Sequence, residues 1–97
     1  EALPRRFGLD QNVPNPFNPK TTIRYQVPSG GGDVTMGVYD VAGRLGATLV
    51  EGHVGAGEHA VTWSGTDDLG REVSSGIYFA RVSIGEWRET RKIAYVR

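Results

Sequence analysis

The sequence has 97 residues, with 11 Lys+Arg against 11 Asp+Glu and no cysteine. That length fits one domain with one modest core. Zero net charge argues against a nucleic-acid partner, which needs a basic face. Without cysteine there is no disulfide, no thiolate nucleophile and no Cys-based zinc site. The missing cysteines do not assign a redox compartment.

Composition predicts the secondary structure. There are 11 Val, 4 Ile and 7 Thr, but only 5 Leu, 2 Lys, 2 Gln and 1 Met. Branched side chains lose rotamer freedom in helices and pack well on pleated sheets. Fourteen glycines supply turns and weaken helix interiors. The chain therefore reads as all-β. No apolar run approaches the ~20 residues that span a bilayer. The start, Glu1-Ala2-Leu3-Pro4-Arg5-Arg6, has neither Met nor an apolar leader segment. It reads as part of a longer chain.

In chain order, residues 1–19 form a Pro/Asn-rich lead-in and residues 20–97 a β-sandwich, one domain with the lead-in packed on it. Phe7 and Leu9 suggest a short edge strand. Pro14, Pro16 and Pro19 rule out a central strand here, because proline donates no backbone hydrogen bond. Phe17 is the expected apolar anchor of this segment.

Ile23, Tyr25 and Val27 alternate with Thr22, Arg24 and Gln26, predicting a strand wet on one face. Residues 28–33 form a glycine-rich turn. Val34, Met36 and Val38 give a second inward face. Residues 40–44 form a hairpin turn, with Gly43 at a left-handed position. The return strand is expected over residues 45–51 and a turn over 52–57. His59, Val61 and Trp63 mark a fourth strand. Residues 64–75 form a folded loop with Leu69 and Val73 as apolar pins. The strongest strand, 77–84, turns Tyr78, Ala80, Val82 and Ile84 to one side. After a turn at 85–86, residues 88–96 close the fold.

Six strong strands and one weak edge, with turns every 8–12 residues, predict an immunoglobulin/fibronectin-III-like antiparallel β-sandwich of about seven strands. Its expected core includes Ile23, Tyr25, Val38, Val61, Trp63, Tyr78 and Val82.

Catalytic and cofactor chemistry finds little support. His53 and His59 lack the helical i, i+4 spacing of a zinc site. No Gly-x-Ser-x-Gly elbow is present. Asp67 and Asp68 are a weak calcium pair, since the Asp-x-Asp-x-Asp-Gly loop is absent. The stronger reading has them bonding their own loop backbone. Trp63, Trp87 and Tyr39 raise a carbohydrate-binding alternative through aromatic stacking, although Trp63 alternates in phase with core positions. No cofactor is expected. Arg88, Arg91, Lys92 and Arg97 crowd the C-terminal end. They suit either a charged, aggregation-resistant edge or a docking strip.

Several segments are specific in order and spacing. These are Gln11-Asn12-Val13-Pro14-Asn15-Pro16-Phe17-Asn18-Pro19 with Thr21-Thr22-Ile23-Arg24-Tyr25, and Val38-Tyr39-Asp40-Val41-Ala42-Gly43-Arg44. Gly57-Glu58-His59-Ala60-Val61-Thr62-Trp63, residues 70–82 and Thr90-Arg91-Lys92-Ile93 complete the set. Together they resemble the C-terminal sorting domains of the type IX secretion class. The same sandwich is similar to the immunoglobulin-like domain of the flagellar hook-capping protein.

The resemblance implies a non-catalytic C-terminal module of a secreted or cell-surface protein, exported through the periplasm of a Gram-negative bacterium. Its implied role is a sorting signal or cell-attachment domain. Its implied partners are an outer-membrane secretion or attachment machinery and an upstream cargo domain of the same chain; no oligomeric state is implied. Arg91, Lys92 and Ile93 become the recognised end, Asn15, Pro16 and Phe17 the hinge to the cargo, and Gly43 and Arg44 part of the hairpin signature. The hook-capping likeness implies instead a structural module of a hook-cap or fibre-like assembly.

Overall fold

The computed structural model describes residues 6–96. Seven strands form two antiparallel sheets. They are β1 (Gly8–Leu9), β2 (Thr21–Val27), β3 (Gly32–Tyr39), β4 (Leu45–Val54), β5 (Gly57–Trp63), β6 (Gly76–Ile84) and β7 (Trp87–Tyr95). One sheet has the order β1-β2-β5 and the other β4-β3-β6-β7. The expected all-β sandwich is the observed fold. Among the described residues no helix is long and apolar enough to cross a membrane.

Alternation dictates the packing. In β2, Thr21, Ile23, Tyr25 and Val27 are buried while Arg24 is exposed. Val34, Met36 and Val38 from β3 face them, with Ala80, Val82 and Ile84 of β6 and Ile93 and Tyr95 of β7. Removing these side chains from water is the main force holding the sheets together. Gly37 interrupts the alternation in β3 and is buried on the outer side. A Cβ there would lie 2.9 Å from Leu45 Cδ1 and 3.1 Å from Tyr39 Cε1. The register shifts beside it, between Met36 and Gly37, which is the mark of a β-bulge.

Several expectations need correcting. The return strand does not stop at 51. Gly52 and His53 pair with Val34 and Asp33, and β4 runs on to Val54. Gly52 takes φ +142°, which glycine adopts freely, and the pairing runs through it. Val61 and Tyr78 are half-buried supports of the core rather than members of it. Val61 lies on the edge strand β5, which has a neighbour on one side only. Tyr78 stands at the start of β6, and its hydroxyl donates to the Ser74 carbonyl at 2.6 Å. This is the tyrosine corner common in such sandwiches. Leu69 is no apolar pin; it is exposed, whereas Val73 packs against the core.

The lead-in is fixed to the sandwich. Phe17 is 2% exposed. It stacks on Tyr95 at 4.8 Å and tilts against Trp63 at 5.3 Å. Its N–H donates to Ala94 O, and the Val96 N–H donates to Phe17 O. Asn12, also buried, donates to Pro14 O and Thr21 Oγ1, both at 3.0 Å. Prolines leave carbonyls without local N–H partners, and this asparagine satisfies one of them.

Candidate functional site

Two loops at one end of the sandwich share a design. The β3–β4 turn, Asp40-Val41-Ala42-Gly43-Arg44, and the segment Asp67-Asp68-Leu69-Gly70-Arg71 of the β5–β6 connection both read Asp-x-x-Gly-Arg. In the first, Asp40 Oδ1 accepts from the N–H groups of Ala42 and Arg44, both at 2.9 Å. Arg44 Nε donates to Asp40 Oδ2 at 3.1 Å. In the second, Asp67 Oδ1 accepts from Leu69 and Arg71 N–H at 2.9 Å, and Arg71 Nε donates to Asp67 Oδ2 at 3.1 Å. Gly43 and Gly70 both donate to the leading Asp carbonyl at φ +82° and +80°. An L side chain there meets its own carbonyl, so the turn selects glycine.

This network holds both carboxyls below the usual carboxylate range. The backbone N–H of Arg44 is the chief cause for Asp40, and that of Arg71 for Asp67. Donors aimed at a carboxylate favour its charged form. The paired motif is visible in the sequence as two Asp-x-x-Gly-Arg strings, but five-residue loops are too short to register as repeats of a whole structural unit.

Asp68 joins the loops. Its N–H donates to Gly46 O at 3.1 Å, and its Oδ1 accepts from Thr48 N–H at 2.7 Å. The calcium pair is thus taken apart: Asp67 binds its own loop and Asp68 ties that loop to β4. Among the described residues no three His, Cys, Asp or Glu side chains are grouped as metal ligands. His53 lies 3.5 Å from Asp33, whereas His59 sits in the other sheet, contacting Gly55 O and stacking on Tyr25.

The sugar-stacking platform is not assembled. Trp63 is buried, with its indole N–H donating to Thr66 O at 2.9 Å. Trp87 stacks on Phe7 at 5.1 Å. Tyr39 lies under the Arg81 guanidinium, 4.8 Å away. The three rings occupy the core, the start of β7 and the end of β3, so no sugar spans them.

The recognition residues taken from the resemblance fall into two places. Gly43 and Arg44 belong to the first twin loop. Asn15, Pro16 and Phe17 meet the last strand. Asn15 Oδ1 accepts from the Ala94 N–H at 2.9 Å. Gln11 Nε2 donates to Lys92 O at 2.7 Å, and Arg91 Nε donates to Leu9 O at 2.8 Å. The Asn15 side chain and the Phe17 backbone thus bond to residues 94–96, so the segment expected as a hinge is clamped to the end of β7 and the residue after it. Those bonds also cover part of β7's free edge, a role expected of charge alone. Ile93 is fully buried, Arg91 pairs with Glu89 at 2.7 Å, and the Lys92 side chain is exposed. Arg97 lies outside the described residues.

Between the twin loops and the start of β6 runs an open groove of about 800 Å³. Val41, Arg44, Leu45, Leu69, Arg71 and Ile77 line it. Periodicity does not register it, because it is built from loop residues of separate segments.

The family model of the FlgD Ig-like domain matches residues 16–85. No curated protein and no solved structure gives a significant match to the chain.

Proposed function

Because the chain belongs to the FlgD Ig-like domain family, we propose that it is a non-catalytic structural module of an exported bacterial assembly of the hook-cap or fibre kind. The family match carries this reading. The chemistry of the described residues is consistent with it. The histidines are separated between sheets, and the two best-placed carboxylates are consumed by their own loops. Acid–base or nucleophilic catalysis needs such groups free and convergent in a pocket. A module of this kind acts through a rigid sandwich that holds its loops in place.

A second reading is supported by the joint between lead-in and last strand. In it the module is a sorting or attachment tail, and the outer-membrane machinery reads the strand around Lys92. Phe17 and Asn15 hold residues 94–96 in an ordered conformation, which suits a recognised end.

One experiment separates the two. The module is deleted from its parent protein in the native bacterium, then export and assembly are scored. An exported parent that no longer assembles supports the structural reading. A parent retained inside the cell supports the sorting reading. Normal export with normal assembly refutes both.

A further inference from the structure

We propose that the groove between the twin loops docks an extended segment of another protein, one that alternates apolar side chains with carboxylates. The inference deepens the structural-module reading and rests on that module working by binding protein.

The first observation is where the apolar surface lies. Six large apolar side chains are exposed among the described residues, and four of them line this groove. They are Val41 at 76%, Leu45 at 53%, Leu69 at 76% and Ile77 at 38%. Single exposed apolar residues need no explanation, but a cluster of them marks an interaction surface. The loops do not need these side chains. Their geometry is set by Asp, Gly, Arg and backbone groups alone.

The second observation is the direction of charge. The Asp40 and Asp67 side chains are 29% and 22% exposed, whereas those of Arg44 and Arg71 are 81% and 72% exposed. Each carboxylate is sunk beneath its loop and each guanidinium stands on top. Each Arg spends its Nε on the loop aspartate. The two Nη groups are left as an end-on fork, the geometry that grips a carboxylate with two parallel hydrogen bonds. Because Nε is already anchored, less side-chain freedom is lost when the fork closes. Asp68, the remaining carboxylate of the groove, accepts from Thr48.

Shape and position agree. A trough of about 800 Å³ lies at the upper end of ligand-pocket sizes and takes several side chains rather than one. The fold starts at the other end of the sandwich, where Gly8 pairs with Gln26.

The test pans a displayed library of random dodecapeptides against the whole chain. The expected winners combine Leu, Ile or Val with Asp or Glu. A labelled synthetic winner is then titrated by fluorescence anisotropy. Val41→Ser with Leu69→Ser should weaken binding roughly tenfold or more, and Arg44→Gln with Arg71→Gln likewise. Arg24→Gln, on the outer face of β2, should leave it unchanged. The serine pair alters only solvent-facing side chains, so it remains informative if the arginine pair loosens the loops. Amide NMR shifts should map to residues 40–46 and 67–78. Basic winners, no enrichment, or shifts mapping elsewhere would overturn the proposal. If panning fails while deletion of the module still blocks assembly, the docking site is wrong and the structural reading stands. If the peptide binds as expected while deletion changes nothing, the structural reading is the one that falls.

Discussion

Replacing Phe17 with alanine should unfold far more than a surface segment. Phe17 is 2% exposed and touches the rings of both Tyr95 and Trp63. Truncating a buried Phe to Ala costs about 3–5 kcal/mol, from lost transfer energy and the cavity left behind. Each lost ring pair adds about 0.5–1.5 kcal/mol beyond buried area, a share already inside that range. For a chain of this size each kcal/mol moves the melting temperature by about 4–8 °C. The expected drop is therefore roughly 12–40 °C. Phe17→Leu keeps most of the apolar volume and should cost about 1–2 kcal/mol. Urea titration followed by tryptophan fluorescence measures both, and Trp63 reports directly because it lies against the substituted ring. Amide exchange gives a second measure: the Val96 N–H, bonded to Phe17 O, should exchange faster in the alanine variant. A loss below about 1 kcal/mol would refute the reasoning, because it would mean that the lead-in is a tether and its packing contributes nothing.

Four further outcomes are expected. The folded-state pKa values of Asp40 and Asp67 lie below the ordinary 3.8. Their stabilisation is therefore present above that value and lost as pH falls through the depressed folded pKa. Thermal melts across the acid range should show this loss, and it should shrink in Asp40→Asn and Asp67→Asn. Gly70→Ala should cost about 1–2 kcal/mol for its left-handed backbone, because no atom lies within 4 Å of the new Cβ. Gly65→Ala should cost more in the same denaturation assay, because its Cβ would meet the Tyr95 ring at 2.6 Å as well as adopting φ +73°. Tyr78→Phe removes the corner hydrogen bond to Ser74 O and should lower stability by about 1 kcal/mol without changing the fold seen by circular dichroism.

The strands of the two sheets differ in how far their sequence declared them. β2 and β6 were legible because buried and exposed residues alternate along them. The length of β4 was not, since Gly52 looks like punctuation until its pairing with Val34 is known. Val61 and Tyr78 have the right phase for the core, yet phase says which face a side chain takes and not how much covers it. Leu69 shows the opposite limit. An apolar residue in a loop is expected to pin that loop down, and here the Asp67 network does so, leaving Leu69 outside.

The sequence alone determined the class of molecule. Branched residues, glycine turns and period-two alternation admit an antiparallel sandwich and little else, because they are local properties of the backbone. Neutral charge and missing cysteine removed whole classes of chemistry by the same local logic. Tertiary structure decided everything that depends on distant segments meeting. It turned residues 15–17 from an expected hinge into a clamp on the last strand, through bonds to Ala94 and Val96. It separated Asp67 from Asp68 by giving each a different partner. It also gathered Val41, Leu45, Leu69 and Ile77 around one groove. The physical reason is common to all three. Burial, pairing and proximity are properties of a surface against its neighbours, and the chain order of a sandwich does not state which neighbours those are.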